Sequence, residues 1–344
     1  MNLLLIILVR NQILFLHMEM LDICLFVVFV WQKKYYARGR IMKVDILLAT
    51  YNGEKYIEEQ ILSILKQTFS GFNLIIRDDG STDNTLSKIA LIKDDRIRVV
   101  RDNLGSLGPA GNFRELITIS NADLLFFSDQ DDVWDQNKLK VTIDKFDHCN
   151  EPTLVYTNAE VVDQDLNSLL YNTYNVEVEP SPVSFFFNNG GLQGCSMAVN
   201  RQLVDIIDFK NISWYMHDLV FTFYASCFGR IIFINEKMFK YRQHNNNVLG
   251  YKKSTLKKYI SQFCNKNFLL RKECYYFFKS FYECENKNLD PEYREMIATF
   301  LSVVNEGDIF SFLLFVKKYN LKLKDSQIKL ISKYFYCRFK VCDL

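Results

Sequence analysis

An apolar run, Asp123-Leu124-Leu125-Phe126-Phe127, gives way abruptly to Ser128-Asp129-Gln130-Asp131-Asp132-Val133-Trp134. A short apolar segment of this kind reads as a buried strand of a parallel sheet. Its carboxyl end then carries three carboxylates within four positions, at the edge of an open α/β sheet where ligands bind. Like charges this close repel unless something positive lies between them, and a hard divalent ion with oxygen ligands meets that need. Such an ion could in turn grip a pyrophosphate. The alternative is a capping role, in which Asp132 or Asp135 starts a helix near Gln136.

The preceding segments support the sheet. Val44-Asp45-Ile46-Leu47-Leu48-Ala49 reads as a buried strand and Tyr51-Asn52-Gly53 as a turn, and residues 54–66 follow with Ile57, Ile61, Leu62 and Leu65 at helical spacing. A second strand over 73–77 ends in Asp78-Asp79-Gly80-Ser81-Thr82-Asp83, before a helix over 84–91. A third strand is expected over 97–101 and a third helix over 110–119. Strands alternating with helices imply a parallel sheet with crossover connections.

Beyond residue 150 the texture changes. Residues 154–162, 194–199 and 231–234 read as strands, 171–183 as an acidic loop, 190–191 as a glycine breaker and 220–227 as a helix. From residue 256 the expectation is helical throughout: 256–281, 291–304, 308–319 and a last amphipathic piece. The organisation expected is thus an apolar segment over 1–41, an α/β domain over 42–250 and a helical region over 251–344.

Charge is uneven along the chain. The net charge is +2, but residues 251–344 carry 18 Lys/Arg against 10 Asp/Glu. That basic region is rich in aromatics, including Tyr275, Tyr276, Phe277, Phe278 and Phe281, which suits an anionic membrane surface as well as it suits a solvated helical face. The nine cysteines are scattered and include no Cys-x-x-Cys pair, which argues against a zinc site or a disulfide framework and for a reducing compartment. In residues 1–41 the apolar runs 3–9 and 21–31 are broken by Arg10, Glu19 and Asp22, and neither reaches the ~20 residues that span a bilayer. They are either an anchor, with 12–31 inserted and Lys33, Lys34, Arg38 and Arg40 holding the remainder in the cytoplasm, or an extension ahead of a start at Met42.

Parallel strands bring Thr50-Tyr51-Asn52-Gly53-Glu54, the Asp78 to Asp83 cluster and the Asp129 to Asp132 cluster to one sheet edge. No Gly-x-Gly-x-x-Gly follows the first strand and no Gly-Lys-Ser/Thr loop is present, which points away from dehydrogenases and P-loop enzymes. The motifs Ala49-Thr50-Tyr51-Asn52-Gly53, Arg77 to Asp83 and Ser128 to Trp134, with Met216-His217-Asp218 and Tyr241-Arg242-Gln243-His244, closely resemble the GT-A domain of family 2 glycosyltransferases. The Asp-Gln-Asp-Asp-Val-Trp and Tyr-Arg-Gln-His forms look most like bacterial polysaccharide rhamnosyltransferases.

The resemblance implies a GT-A fold with a mostly parallel central sheet, followed by a helical region. It also implies transfer of a sugar, L-rhamnose from dTDP-rhamnose in the first instance, to a growing cell-surface polysaccharide or lipid-linked acceptor, with inversion. Thr50, Tyr51 and Glu54 would line the nucleoside pocket, and Asp78 or Asp79 would accept from the pyrimidine N–H. Asp129 would contact the ribose or metal water, Asp131 would bind Mg2+ or Mn2+, and His244 would ligate the metal or steady the leaving group. Arg242 would hold the diphosphate, and Asp218 would be the general base toward the acceptor.

Structural roles compete at several of these positions: Tyr51 in packing, Asp83 and Asp218 as helix caps, Asp132 in the loop itself, Arg242 in a pair with a surface acid. The partners expected are the nucleotide-sugar donor, a saccharide or lipid-linked saccharide acceptor and the anionic inner face of the cell membrane, with no nucleic acid. A catalytically degenerate GT-A domain acting as a scaffold is the competing reading. Retention of both Asp131 and Asp218 argues against it, and a nucleotidyltransferase would need a Gly-rich Arg/Lys loop that is absent.

Overall fold

The apolar segments after Lys43 assemble into one sheet, and the helices between them bury their inner faces on it. The computed structural model describes residues 3–9, 12–18, 42–147, 149–188, 190–244, 268–323, 326–336 and 339–341. Two units are distinguished, Met1–Lys43 and Val44–Leu344. In the first, β1 (Leu3–Val9) and β2 (Gln12–Met18) pair as an antiparallel hairpin, with Leu3 opposite Met18 and Val9 opposite Gln12. Residues 12–18 of the stretch considered for membrane insertion are therefore a strand, and 19–41 lie outside the described residues.

In the second unit β3 (Val44–Thr50) pairs in parallel with β4 (Phe72–Asp78) and with β6 (Leu124–Ser128), and β4 with β5 (Ile97–Val99). The crossover helices are α1 (Ile57–Leu65), α2 (Thr85–Leu91) and α3 (Gly108–Ile119). All five residues of β6 are buried, as the uninterrupted apolar run requires. Beyond β6 the sheet becomes mixed. β10 (Met197–Asn200) runs antiparallel to β6 and to β8 (Thr153–Val162), and β8 pairs in parallel with β11 (Arg230–Arg242). β11 closes on β7 (Val133–Trp134), and β9 (Ser168–Asn172) adds antiparallel to β8.

The element boundaries depart from expectation where polar residues mask the pattern. The strand expected over 231–234 is the 13-residue β11. Its register shifts between Ile234 and Lys237 and again between Lys237 and Lys240, so bulges carry Asn235-Glu236-Lys237 through the ladder and hide its period. The strand expected over 194–199 begins with a 3-10 turn, Gly194–Ser196, before β10.

Three short or medium helices complete the sheet side: α4 (Lys138–Ile143), α5 (Arg201–Asp205) and α6 (His217–Phe228). After β12 (Phe268–Leu270) come α7 (Lys272–Glu285), α8 (Pro291–Asn305), α9 (Ile309–Lys318) and α10 (Gln327–Tyr336), and then β13 (Phe339–Val341), which pairs in parallel with β12. The boundary expected at 250/251 falls in 245–267, outside the described residues, as do residues 256–267 of the long helix expected there. Among the described residues no helix is long and apolar enough to cross a membrane.

The aromatic stretch assigned to a lipid surface is mostly core. Phe277, Phe278 and Phe281 are fully buried, while Tyr276 is exposed. The reason is an aromatic stack between α6 and the later helices: Phe223 meets Phe278 at 4.9 Å and Phe281 at 4.8 Å, and Phe186 stacks on Phe300 at 4.2 Å. Each ring pair adds about 0.5–1.5 kcal/mol beyond the burial of its area. The sheet, α6 and the helices after residue 268 thus share one core. Phe300→Ala, which empties its centre, should lower stability by about 3–5 kcal/mol, read as a shifted midpoint of a single urea transition. A loss under about 1 kcal/mol would contradict this packing.

Candidate active site at the carboxyl edge of the sheet

Register alone brings the polar clusters together. Thr50 lies beside Asp78 across β3 and β4, and Leu48 beside Ser128 across β3 and β6. The loops that leave β3 and β6 are then locked by one side chain. Gln130 accepts at Oε1 from Thr50 Oγ1 (2.6 Å) and Tyr51 N–H (2.9 Å), and its Nε2 donates to the Tyr51 carbonyl (3.0 Å). A Cβ at Gly53 would lie 2.2 Å from Gln130 Oε1, so a larger residue there would displace the Gln130 amide from these bonds. Thr50 is buried in this contact and Tyr51 stands exposed at the rim. Sequence reasoning passed over Gln130; the signal available was an amide set between two of the acids.

The loop after β4 spends most of its acids on itself. Asp79, buried, accepts from Ser106 Oγ, Leu107 N–H and Gly108 N–H, each at 2.8 Å, and from Arg77 at 3.0 Å. It therefore fixes the start of α3, where the helix dipole favours an anion. Asp78 is half-buried at the edge and accepts from Gly80 N–H (3.1 Å) and Ser81 N–H (2.8 Å). Asp83 and Glu54 engage reciprocally: Asp83 accepts from Glu54 N–H and Thr85 N–H, while Glu54 accepts from Asn84 N–H, all at 3.0 Å. Asp83 thus serves the start of α2, and Glu54 is committed to the same cap.

The third cluster is anchored from behind. Asp131 Oδ2 lies 2.7 Å from His244 Nε2, so two residues 113 positions apart meet at the mouth. Arg242 is buried; its guanidinium donates to Glu59, to the Asp131 carbonyl (2.7 Å) and to the Gln164 carbonyl (2.7 Å). Its backbone N–H donates to Asp132 Oδ1 (3.1 Å). These bonds hold the acidic loop from its back, with the paired acid that the sequence offered as an alternative to a diphosphate. Asp135, not Asp132, serves the start of α4, accepting from Asn137 N–H at 2.8 Å.

Beneath the loop lies a buried cation that the sequence did not reveal. Lys138 donates to the Cys195 carbonyl (2.7 Å) and sits 3.9 Å above the Trp134 ring and 4.2 Å from that of Phe239. Burial pushes it down to about 8. Burial, then the charge of Asp131, pushes Asp129 up to about 7 and raises Asp132 well above the usual carboxylate range. The only hint in the sequence was the four-residue spacing from Trp134 to Lys138.

Two donor sets could hold an ion. Asp129, Asp132 and Cys195 place their polar atoms within 4.8 Å of one another, and Asp132 Oδ2 is buried with no hydrogen-bond donor. That set includes a thiol whose ionisation burial opposes, a poor match to a hard ion. Asp131 and His244, with half-buried Asp129 nearby, offer oxygen and imidazole nitrogen at the mouth, a set that fits Mg2+ or Mn2+.

Asp218 enters from the opposite side, in the first turn of α6, half-buried, with Oδ1 accepting from Leu219 N–H at 2.6 Å. Burial pushes it up to about 6, and its charge is felt at Asp129. Its placement follows from His217, buried between Phe113 (4.1 Å) and Phe127 (4.7 Å), the last apolar residue before the acidic loop. Burial holds His217 near 3, hence neutral. Residues 190–194 then close over the helix. A Cβ at Gly191 would lie 2.1 Å from the Asp218 carbonyl, one at Gly194 2.3 Å from His217 Nε2, and Leu192 N–H donates to Thr222 Oγ1 at 3.0 Å.

This geometry places Thr50, Tyr51, Asp78, Asp129, Asp131, His244 and Asp218 around one edge, and turns Asp79, Glu54 and Arg242 to structural contacts. The family model described as Glycosyl transferase family 2 matches residues 45–204. The dTDP-rhamnosyl transferase RfbG of Shigella flexneri is 33% identical over 247 residues, covering 66% of this chain and 81% of that protein. The UDP-Glc:alpha-D-GlcNAc-diphosphoundecaprenol beta-1,3-glucosyltransferase WfgD of Escherichia coli is 28% identical over 168 residues, 48% of this chain and 63% of that protein. Among solved structures, S. aureus TarS 1-349 in complex with UDP-GlcNAc superposes with a TM-score of 0.54 at 16% identity, covering 81% of this chain and 80% of that one, and so shares the GT-A fold. The chain belongs to glycosyl transferase family 2 and is a glycosyltransferase that draws on a nucleotide-sugar donor.

Proposed function

We propose that the protein is an inverting, divalent-metal-dependent glycosyltransferase that moves L-rhamnose from dTDP-rhamnose to a growing cell-surface polysaccharide or lipid-linked acceptor at the cytoplasmic face of the membrane. The observation that carries this reading is the pairing of Asp131 with His244 at 2.7 Å, on the same sheet edge as Asp218. The similarity to a dTDP-rhamnosyl transferase supports the donor.

In this reading Tyr51 faces the nucleoside, Thr50 holds Gln130 behind it, and Asp78 accepts from the base. Asp131 and His244, with Asp129 beside them, would hold Mg2+ or Mn2+, whose charge would offset that of the leaving diphosphate. Asp218 takes the proton of an acceptor hydroxyl. The freed oxygen forms a bond to the anomeric carbon as the bond from that carbon to the diphosphate oxygen breaks, the electron pair leaving with the nucleotide. One displacement of this kind inverts the anomeric centre. The presence of Asp131, His244 and Asp218 on one sheet edge disfavours the scaffold alternative.

Release of nucleoside diphosphate across a panel of nucleotide sugars tests the assignment. Turnover should be highest with dTDP-rhamnose and Mg2+ or Mn2+, and should vanish in EDTA. Undiminished turnover in EDTA, or use of another donor in its place, would overturn the corresponding part.

The pH dependence follows from Asp218. Burial pushes its carboxyl up to about 6 from the ordinary 3.8, so a base must be generated by deprotonation and kcat/KM should rise with pH through about 6. By linkage the folded chain keeps a proton that the unfolded chain has lost across this window, so the group's contribution to stability falls as pH rises from 3.8 to about 6. Asp218→Asn should slow turnover by ~10²–10⁴-fold, abolish that limb and leave donor affinity unchanged. Wild-type rates, or lost donor binding, would show that the residue acts elsewhere.

A further inference from the structure

The helices α9 and α10 are apolar on two sides, and the fold uses one. On α9 the inner side buries Phe312, Phe315 and Val316, while Phe310 and Leu314, four residues apart, are 76% and 68% exposed. On α10 the inner side buries Leu330, while Ile328 and Phe335, seven apart, are 77% and 66% exposed. Isolated exposed apolar residues are ordinary. Pairs in helical register on two neighbouring helices make a patterned surface instead.

The two helices form an antiparallel hairpin. Gln327 at the start of α10 donates to Asn320 just past the end of α9, and Tyr334 near the end of α10 donates to the Gly307 carbonyl ahead of α9 and stacks on Phe312 at 3.9 Å. Phe335 therefore lies toward the Phe310 end and Ile328 toward the Lys317 end.

Charge selects the occupant of this surface. Among the described residues of the hairpin, Lys317, Lys318, Lys322 and half-buried Lys329 supply the positive charge, while Lys333 turns inward and donates to the Leu269 carbonyl at 2.7 Å. Lys317, Lys318 and Lys322 are exposed beside the Leu314 end of α9, with Lys318 also paired to Glu295. Exposed Glu306 and Asp308 stand at the opposite end of that helix. Exposed apolar side chains flanked by lysines are complementary to anionic lipid, where lysines meet headgroups and aromatic and aliphatic side chains enter the acyl boundary.

We propose that the outer face of the α9–α10 hairpin docks the enzyme on an anionic lipid surface, through Phe310, Leu314, Ile328 and Phe335 with the lysines beside them. This deepens the membrane-side acceptor proposed above, yet it stands apart from the donor and metal assignments, which a soluble-acceptor assay reads without vesicles.

Flotation of the full-length protein with vesicles of phosphatidylcholine alone, and with phosphatidylglycerol added, tests it. The wild type should float with the anionic vesicles and much less with the neutral ones. The variant Phe310→Ser/Leu314→Ser/Ile328→Ser/Phe335→Ser should bind the anionic vesicles more than about tenfold more weakly, with its thermal transition and its nucleotide-sugar turnover unchanged, since these side chains face outward. Lys317→Gln/Lys322→Gln should lose about fivefold per lysine, and only on anionic vesicles. Three outcomes would overturn the proposal: no flotation of the wild type at low salt; wild-type flotation of the serine variant, which would assign binding to another segment such as residues 1–41; or a wild-type dimer by light scattering that the serine variant converts to monomer without any vesicle binding.

Discussion

Three carboxylates at the end of one buried strand are the constraint around which the structure is arranged. Asp129, Asp131 and Asp132 cannot all be ionised in a half-buried loop without positive charge nearby, since burial and mutual repulsion act in the same direction. The chain answers on three sides. Lys138 lies beneath, held over Trp134 and against the Cys195 carbonyl; Arg242 fixes the loop from behind; and His244 meets Asp131 at the mouth. A buried ion left without its counter-charge costs about 3–5 kcal/mol, which makes these contacts obligatory rather than decorative. The side facing the crevice is the one on which a bound cation would complete the balance.

The same loop fixes its neighbours. Gln130 ties it to the end of β3, so Thr50, Tyr51 and the acidic residues are held as one body. Phe127, the last apolar residue before the acids, stacks on His217 and so sets the height of α6, and with it Asp218. Gly191 and Gly194 are required there because a side chain would strike the first turn of that helix. The aromatic core behind α6, built from Phe223, Phe278 and Phe281, keeps the helix from drifting. Packing remote from the crevice thus sets the separation of Asp218 from the acidic loop.

Much of this was legible in the sequence because it is local. The apolar runs that end in Thr50, Asp78 and Ser128 announce strand ends, and parallel pairing puts strand ends on one edge. The helices α1 to α3 follow from the same alternation. What was not legible depends on partners far along the chain. Asp78 and Asp79 are adjacent and chemically identical, yet Asp79 faces Arg77 and the start of α3, a difference of pleat that no motif states. Arg242 shows its charge in sequence but not that Glu59, an exposed acid 183 residues away, meets it. Phe277, Phe278 and Phe281 resemble a lipid-facing stretch until α6 and α8 cover them, while Phe310 and Leu314 belong to an unremarkable helix until their exposure is known.

The central claim is that the acidic loop and His244 together form a divalent-ion site on the donor side of the crevice. Anomalous diffraction at the manganese edge, from crystals grown with Mn2+ and dTDP, tests it most directly. The account predicts one strong anomalous peak within coordination distance of Asp131 and His244, in contact with the diphosphate. A nucleotide bound at the sheet edge with no peak there, or a peak enclosed by Asp129, Asp132 and Cys195 beneath the loop, would contradict it.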